Sequence, residues 1–246
     1  MENKFIIVSP FYNVESTIKK TIMSVVSQDY KNYEAYFIDD VSTDNTVNII
    51  EDLIKNNDKI KLIKNQNKKY SLRNIYDTVH KFSSDADIIV ILDGDDILYG
   101  KDVLSKINYY YNSKKCWLTY GSYINLSNKT RGKFSSKIPQ YVIDNSSYRD
   151  HSWCTSHLRS FKSFLFKKIK EEDMKDEAGH FLTITGDLAI MFPMLEMSCE
   201  RSCYIDDLLY IWNDLNEHND HKKDNMLQMK VEQDLRRRKK YDRLDR

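Results

Sequence analysis

Residues 87–96, DIIVILDGDD, run through five consecutive apolar positions, Ile88 to Leu92, and then turn sharply acidic. A strand that is apolar at every position is covered on both faces, the condition of an inner strand in a parallel sheet with helices on each side. The segments upstream fit the same architecture. Residues 4–13, KFIIVSPFYN, read as a buried first strand that stops at Pro10, and residues 33–40, YEAYFIDD, as a second strand ending in two acids. KIKLIKN (59–65) is a short third strand. Between them, Ile18, Ile22, Val25 and Val26 share one helical face, as do Val47, Ile50 and Ile54, and then Leu72, Ile75, Tyr76 and Val79. The Ser, Thr and Asp of STDNT (42–46) can accept the free N–H groups of a first helical turn. Four strands alternating with three helices predict an α/β fold with a Rossmann-like, mostly parallel sheet flanked by helices.

Beyond residue 96 the pattern loosens. DVLSKINYYYN (102–112) reads as a helix, CWLTYGSY (116–123) as a strand, and the polar, Ser-rich stretch 125–160 with Pro139 as a loop region over the sheet edge. FKSFLFKKI (161–169) and GDLAIMFPMLEMS (186–198) are helical in pattern, the second interrupted by Pro193. YIDDLLYIWN (204–213) reads as strand or turn, and a charged helix is expected from about residue 222.

Composition narrows the function. Of 246 residues, 41 % are apolar and 30 % charged, with 17 Tyr and 10 Phe to pack, which excludes wholesale disorder. Net charge is +1, yet residues 222–246 carry ten basic against five acidic groups, so the bulk is mildly acidic and the tail basic. A generic nucleic-acid binder spreads a basic surface over its fold, so sequence-specific nucleic-acid recognition is not expected. The four cysteines, at 116, 154, 199 and 203, make no zinc-site spacing and read as reduced, partly buried thiols. The apolar run before Ser9 is too short for a signal peptide and no 18-residue apolar stretch occurs, which makes a cytoplasmic protein the expectation.

Ligands of open α/β sheets sit beyond the carboxyl ends of the strands, where Asp39, Asp40, Asp93, Asp95 and Asp96 all fall. Clustered carboxylates raise one another's pKa unless a cation is present, and hard oxygen ligands beside a nucleotide suit Mg²⁺ or Mn²⁺. No G-x-G-x-x-G follows the first strand and no G-x-x-x-x-G-K-[ST] occurs, which argues against a dinucleotide dehydrogenase and a P-loop ATPase.

Residues 6–46, IIVSPFYNVESTIKKTIMSVVSQDYKNYEAYFIDDVSTDNT, resemble the opening of the family 2 glycosyltransferases of the GT-A fold. LDGDD (92–96) resembles their D-x-D region, and TGDLA (185–189) their later acidic motif. The resemblance is specific over residues 3–112, looser from 150 to 220, and absent from 125 to 150. It implies a catalytic unit over 1–221, with a nucleotide-sugar-binding half (1–112) and an acceptor-side half (113–221), followed by a basic tail (222–246).

The resemblance also implies roles. Asp40 accepts from uracil N3–H, with Pro10, Phe11 and Asn13 lining the pocket and Arg73 near the base or diphosphate. Asp93 and Asp95 approach the nucleotide, Asp95 or Asp96 holds Mn²⁺ or Mg²⁺, and His218 or His221 adds a ligand from the C-terminal segment. Asp187 is the catalytic base, although the acid that usually precedes it is Gly186 here. Trp153, His157 and Arg159 face the acceptor or the diphosphate. The activity implied is inverting transfer of a glucose-, galactose- or N-acetylglucosamine-type sugar from a UDP-sugar to a hydroxyl of a glycan, glycolipid or protein. A nucleotidyltransferase and a non-catalytic binding protein of the same fold are the alternatives. Met226, Met229, Leu235 and the basic run 236–240 read as a solvated helix packed on the catalytic unit, which the similar tails of related enzymes favour, with a peripheral membrane contact as the alternative.

Overall fold

Strand β4 (Ile88–Ile91) is the middle strand of a seven-stranded sheet in the computed structural model, which describes residues 2–216 and 225–245. On one side lie β1 (Phe5–Phe11), β2 (Tyr33–Asp39) and β3 (Ile60–Lys64), all parallel to it. On the other side β8 (Arg159–Lys162) runs antiparallel, followed by β6 (Leu118–Tyr120) and β9 (Ser202–Tyr204). The sheet therefore takes strands from both halves expected from the sequence.

Strand alternation divides the core into two layers. Phe5, Ile7, Ile88 and Val90 face α1 (Ile18–Val26), α2 (Thr46–Ile54) and α4 (Val103–Ser113). Ile6, Val8, Ile89 and Ile91 face α3 (Tyr70–Phe82) and α7 (Gly186–Ser198). Every residue of α7 from Leu188 to Ser198 is buried, and the helix runs through Pro193 without ending. A proline inside a helix costs about 3 kcal/mol. Burying even two of the large apolar side chains that flank it contributes as much.

Several expectations need correction. β1 does not stop at Pro10: it continues to Phe11, with Pro10 in register with Ile38. Pairing with β4 ends at Val8, so the missing Pro10 N–H falls where β1 has only β2 beside it. The segment 161–169 is only briefly helical: Arg159–Lys162 forms β8 and Ser163–Phe166 a single turn, α6, because Phe161 is taken into the sheet opposite Ile89. Residues 116–125 yield two strands, β6 and β7 (Tyr123–Asn125), and β7 joins β5 (Ile97–Leu98) and β10 (Tyr210–Trp212) in a second, three-stranded sheet. Within 125–160 the polar stretch folds one short helix, α5 (Gln140–Asp144). The cysteines are not all reduced. Cys116 and Cys203 form a disulfide, while Cys154 and Cys199 are free and buried. The bonded pair lies 87 residues apart in sequence, and only the pairing of β6 with β9 brings the two together.

The basic tail is part of the catalytic unit's surface. Helix α8 (Asn225–Arg237) packs on α7 through Leu235, which is buried. Beneath it the fully buried Glu196 of α7 accepts from Arg149 through both oxygens, at 2.5 and 2.9 Å, and from the Tyr241 N–H at 2.9 Å. Arg149 also donates to the Leu235 carbonyl at 2.5 Å. Of the basic run, Arg236 donates to the carbonyls of Arg149 and His151, Arg238 to those of Asp173 and Lys175, and Lys240 to that of Ser146. Three of the five cations that the membrane alternative would use are thus committed to the fold. Among the described residues no helix is long and apolar enough to cross a membrane.

Breaking a buried ion pair by neutralising one partner leaves the other charge stranded. Glu196→Gln should therefore lower the unfolding free energy by about 3–5 kcal/mol, read by urea titration. A loss below about 1 kcal/mol would mean that this pair does not hold the tail.

Candidate active site

The acidic turn after β4 is drawn against the end of β1 because residue 94 is glycine: a Cβ there would lie 2.3 Å from Phe11 Cβ. Thr21 Oγ1 donates to the Gly94 carbonyl at 3.1 Å. The second sheet then grips the turn from its other side. Tyr210 of β10 donates its phenol to Asp96 Oδ2 at 2.7 Å, and the Asn213 N–H donates to Oδ1 at 2.6 Å. Burial pushes the Asp96 carboxyl well above the usual carboxylate range, and the charges of Asp95 and Asp93 add to this.

His157, in the approach to β8, stacks flat on Tyr210 with ring centroids 4.6 Å apart. Its Nδ1 lies 4.0 Å from Asp93 Oδ2. Burial holds the imidazole well below its usual range, helped by the nearby Arg159 charge. Asp93, Asp96 and His157 each offer a ligand atom, all within 4.8 Å of one another. Two carboxylates and an imidazole at this spacing could hold a divalent cation.

Two residues further on, Arg159 turns its guanidinium inward, with its side chain 7 % exposed. It donates to Asp187 Oδ2 at 3.2 Å and approaches His157 Nδ1 at 3.4 Å. Asp187 occupies the first turn of α7, where the free N–H groups favour a carboxylate, and Leu188 N donates to its Oδ1 at 3.0 Å. Gly186 lets this turn approach α3, since a Cβ would stand 3.2 Å from Leu72 Cβ. Asp93, His157, Arg159 and Asp187 all line one cavity of about 760 Å³, together with Trp153 and Trp212.

The remaining expected residues sit elsewhere. Asp95 Oδ2 accepts from the Asn216 and Asn213 amides, at 2.6 and 3.3 Å, and the ligand cluster found among the described residues contains Asp93 and Asp96. Asp40 is buried against residues 65–74. Its Oδ1 accepts from Lys69 N and the side-chain amides of Asn65 and Asn74, at 2.8–3.1 Å, and its Oδ2 accepts from Tyr70 N at 2.9 Å, which leaves Oδ2 a lone pair. Phe11 and Pro10 are buried in the core, so neither lines a pocket; the half-buried neighbour Tyr12 offers its ring and carries the Lys68 ammonium 3.3 Å from its centroid. Asn13 accepts from Thr43 N at 2.8 Å and donates its backbone N–H to Ser42 Oγ, joining the loops after β1 and β2. Arg73 is not among the cavity-lining residues and pairs with Asp77 at 2.7 Å. His218 and His221 lie outside the described residues. The sequence reading missed Tyr210, Asn213 and the tail: Gln228, Glu232 and Arg236 of α8 also line the cavity. Tyr210 carried a signal, a lone tyrosine opening the apolar YIW run, but nothing local marked its partner.

Carboxylates, an imidazole and a guanidinium thus gather at the strand ends around one cavity. The profile of Glycosyl transferase family 2 matches residues 6–170, and the chain belongs to that family. Over 141 residues it is 33 % identical to WfgD of Escherichia coli, a UDP-Glc:alpha-D-GlcNAc-diphosphoundecaprenol beta-1,3-glucosyltransferase, covering 56 % of this chain and 53 % of WfgD. The fold is similar to that of S. aureus TarS, residues 1–349, in complex with UDP-GlcNAc, with a TM-score of 0.64 at 17 % identity over 86 % of this chain and 58 % of the other. The mannosyltransferase PcManGT of Pyrobaculum calidifontis, solved with GDP-Man and Mn²⁺, superposes with a TM-score of 0.59 at 16 % identity, covering 86 % of this chain and 57 % of its own. The chain spans about half the length of WfgD and little more of the two structures.

The ligand cluster predicts where Mn²⁺ binds. In calorimetric titrations Asp93→Asn and His157→Ala should each weaken Mn²⁺ binding at least about tenfold, or 1.4 kcal/mol. Asp95→Asn should change it less than either, and the reverse order would move the metal to Asp95.

Proposed function

We propose that this protein is an inverting glycosyltransferase that moves a hexose-type sugar from a UDP-sugar to an acceptor hydroxyl, with Mn²⁺ at Asp93, Asp96 and His157. The observation that carries the reading is that Asp93 and His157 of this cluster and the carboxylate of Asp187 line one cavity, bridged by Arg159. The uridine donor is supported by the UDP-Glc in the name of WfgD and by the UDP-GlcNAc complex of TarS. A divalent cation is supported by the donor set, and Mn²⁺ by the PcManGT complex.

The roles follow from charge. As the bond to the sugar breaks, negative charge grows on the departing diphosphate, and a divalent cation there acts as a Lewis acid on its oxygens. Arg159 offers a fixed, permanent positive charge at the same end of the cavity. The acceptor hydroxyl is a weak nucleophile until its proton is taken, and Asp187 takes it. Of the other carboxylates that line the cavity, Asp93 faces His157 and Glu232 is paired with Arg236 at 2.7 Å. One base and no carboxylate free for covalent attack favour direct displacement, so an α-linked donor gives a β-linked product. At the nucleotide end, Tyr12 and Asn13 receive the base, while Asp40 secures the wall formed by residues 65–74.

Two measurements test the reading. With Mn²⁺ and no acceptor, one member of a panel of UDP-sugars should be hydrolysed slowly to UDP, and excess chelator should stop the release. Asp187→Asn keeps volume and an acceptor oxygen, so the calorimetric UDP dissociation constant should stay within about twofold while acceptor-saturated turnover falls about 10²–10⁴-fold. Near wild-type turnover would remove Asp187 from the base role, and turnover in excess chelator would remove the metal.

A further inference from the structure

The tail helix is built into the cavity wall in a regular way. Gln228, Glu232 and Arg236 lie four residues apart, hence on one face of α8, and all three line the cavity. They are half-buried, whereas Lys230 and Gln233 on the same helix are exposed. Arg236 is used internally: it pairs with Glu232 and donates to two backbone carbonyls. That pairing holds the Glu232 carboxylate in place and leaves it lone pairs to spare. Gln228 has no hydrogen-bond partner among the described residues. Opposite in character, Trp153 lines the same cavity and stands edge-on to Phe192, 5.9 Å between centroids.

A second observation comes from α7. Thr185 adopts φ +58°, a left-handed conformation that a β-branched residue rarely takes. Its side chain lines the cavity, and its Oγ1 is buried with no hydrogen-bond partner. Buried hydroxyls are almost always satisfied, so an orphan at a cavity wall, two residues before Asp187, marks where a ligand's polar group belongs.

From these groups we infer that Thr185, Gln228, Glu232 and Trp153 form the acceptor subsite and that its occupant is a saccharide. A sugar ring presents hydroxyls that both donate and accept, together with an apolar face. The carboxylate of Glu232 accepts, the amide of Gln228 does both, the Thr185 hydroxyl gains its missing partner, and the Trp153 ring covers the apolar face. Tyr12, Asn13 and Asp40, at the nucleotide end, line no part of this cavity, which leaves its α8 wall to the acceptor. A lipid chain or a bare peptide has no use for four polar or aromatic groups set this way. The tail helix thus selects the acceptor, and it is held in place by the buried Arg149–Glu196 pair beneath it.

This inference rests on the transfer reading, and one assay separates the two. UDP release is measured with the hydrolysed UDP-sugar, alone and with p-nitrophenyl glycosides of glucose, galactose, N-acetylglucosamine and N-acetylgalactosamine as acceptor probes. At least one glycoside should accelerate release. Gln228→Ala should raise the KM for that glycoside about three- to tenfold and Glu232→Gln at least about tenfold, with the KM for the donor within about twofold. Lys230→Ala, on the outer face, should change neither. Acceptor KM values within twofold of wild type in both variants, or no acceleration by any glycoside in an enzyme that hydrolyses its donor, would overturn the saccharide subsite. Absence of UDP release from every donor would instead overturn the transfer reading, and the subsite with it. Thr185→Val guards against a purely structural effect: with unchanged thermal unfolding it should still raise the acceptor KM, and a KM within twofold of wild type would count against the site.

Discussion

A carboxylate buried at the end of a strand is costly unless its lone pairs are filled, and Asp96 is the carboxylate on which this structure turns. Its two donors, the Tyr210 phenol and the Asn213 N–H, come from the second sheet, more than a hundred residues along the chain. Satisfying Asp96 therefore fastens β10 onto the acidic turn. Once β10 is there, the Tyr210 ring supplies the surface on which His157 stacks. His157 in turn stands beside Arg159, and Arg159 reaches Asp187. One burial problem at the end of β4 thus orders a chain of contacts that runs from the ligand cluster to the start of α7.

The same region shows how far a linear reading reaches. The α/β order, the central place of residues 87–96 and the carboxylates at strand ends were all legible, because five apolar residues before an acidic turn are a local signal with a local cause. What was not legible depends on pairs distant in sequence. Phe11 and Tyr12 are adjacent aromatics, and composition cannot say which is swallowed by the core; the close approach of Gly94 decides it. Asp95 and Asp93 are equivalent on paper, yet Asn213 and Asn216 draw one away while His157 faces the other. Asp40 reads as a ligand-facing acid, and the structure adds contacts to residues 65–74, which no spacing rule connects to it. The Cys116–Cys203 disulfide is hidden for the same reason, since it needs the pairing of β6 with β9.

The tail shows which of two sequence readings the fold takes. Five consecutive basic residues read as part of a helix packed on the catalytic unit or as a surface for anionic headgroups, and the fold spends Arg236, Arg238 and Lys240 on backbone carbonyls. The ionic anchor beneath, Arg149 with Glu196, joins two residues that look unremarkable in sequence, one in a polar loop and one inside an apolar helix. Anchored in this way, α8 contributes a wall to the cavity, and the C-terminal segment belongs with the chemistry of the site.

The central claim is that Asp93, Asp96 and His157 form the metal centre facing Asp187. Its most direct test is a crystal grown with UDP and Mn²⁺ and measured at the manganese absorption edge. The account predicts one anomalous peak bound by those three side chains and in contact with the diphosphate. A peak bound by Asp95 and remote from His157, or UDP bound with no manganese beside its diphosphate, would contradict it.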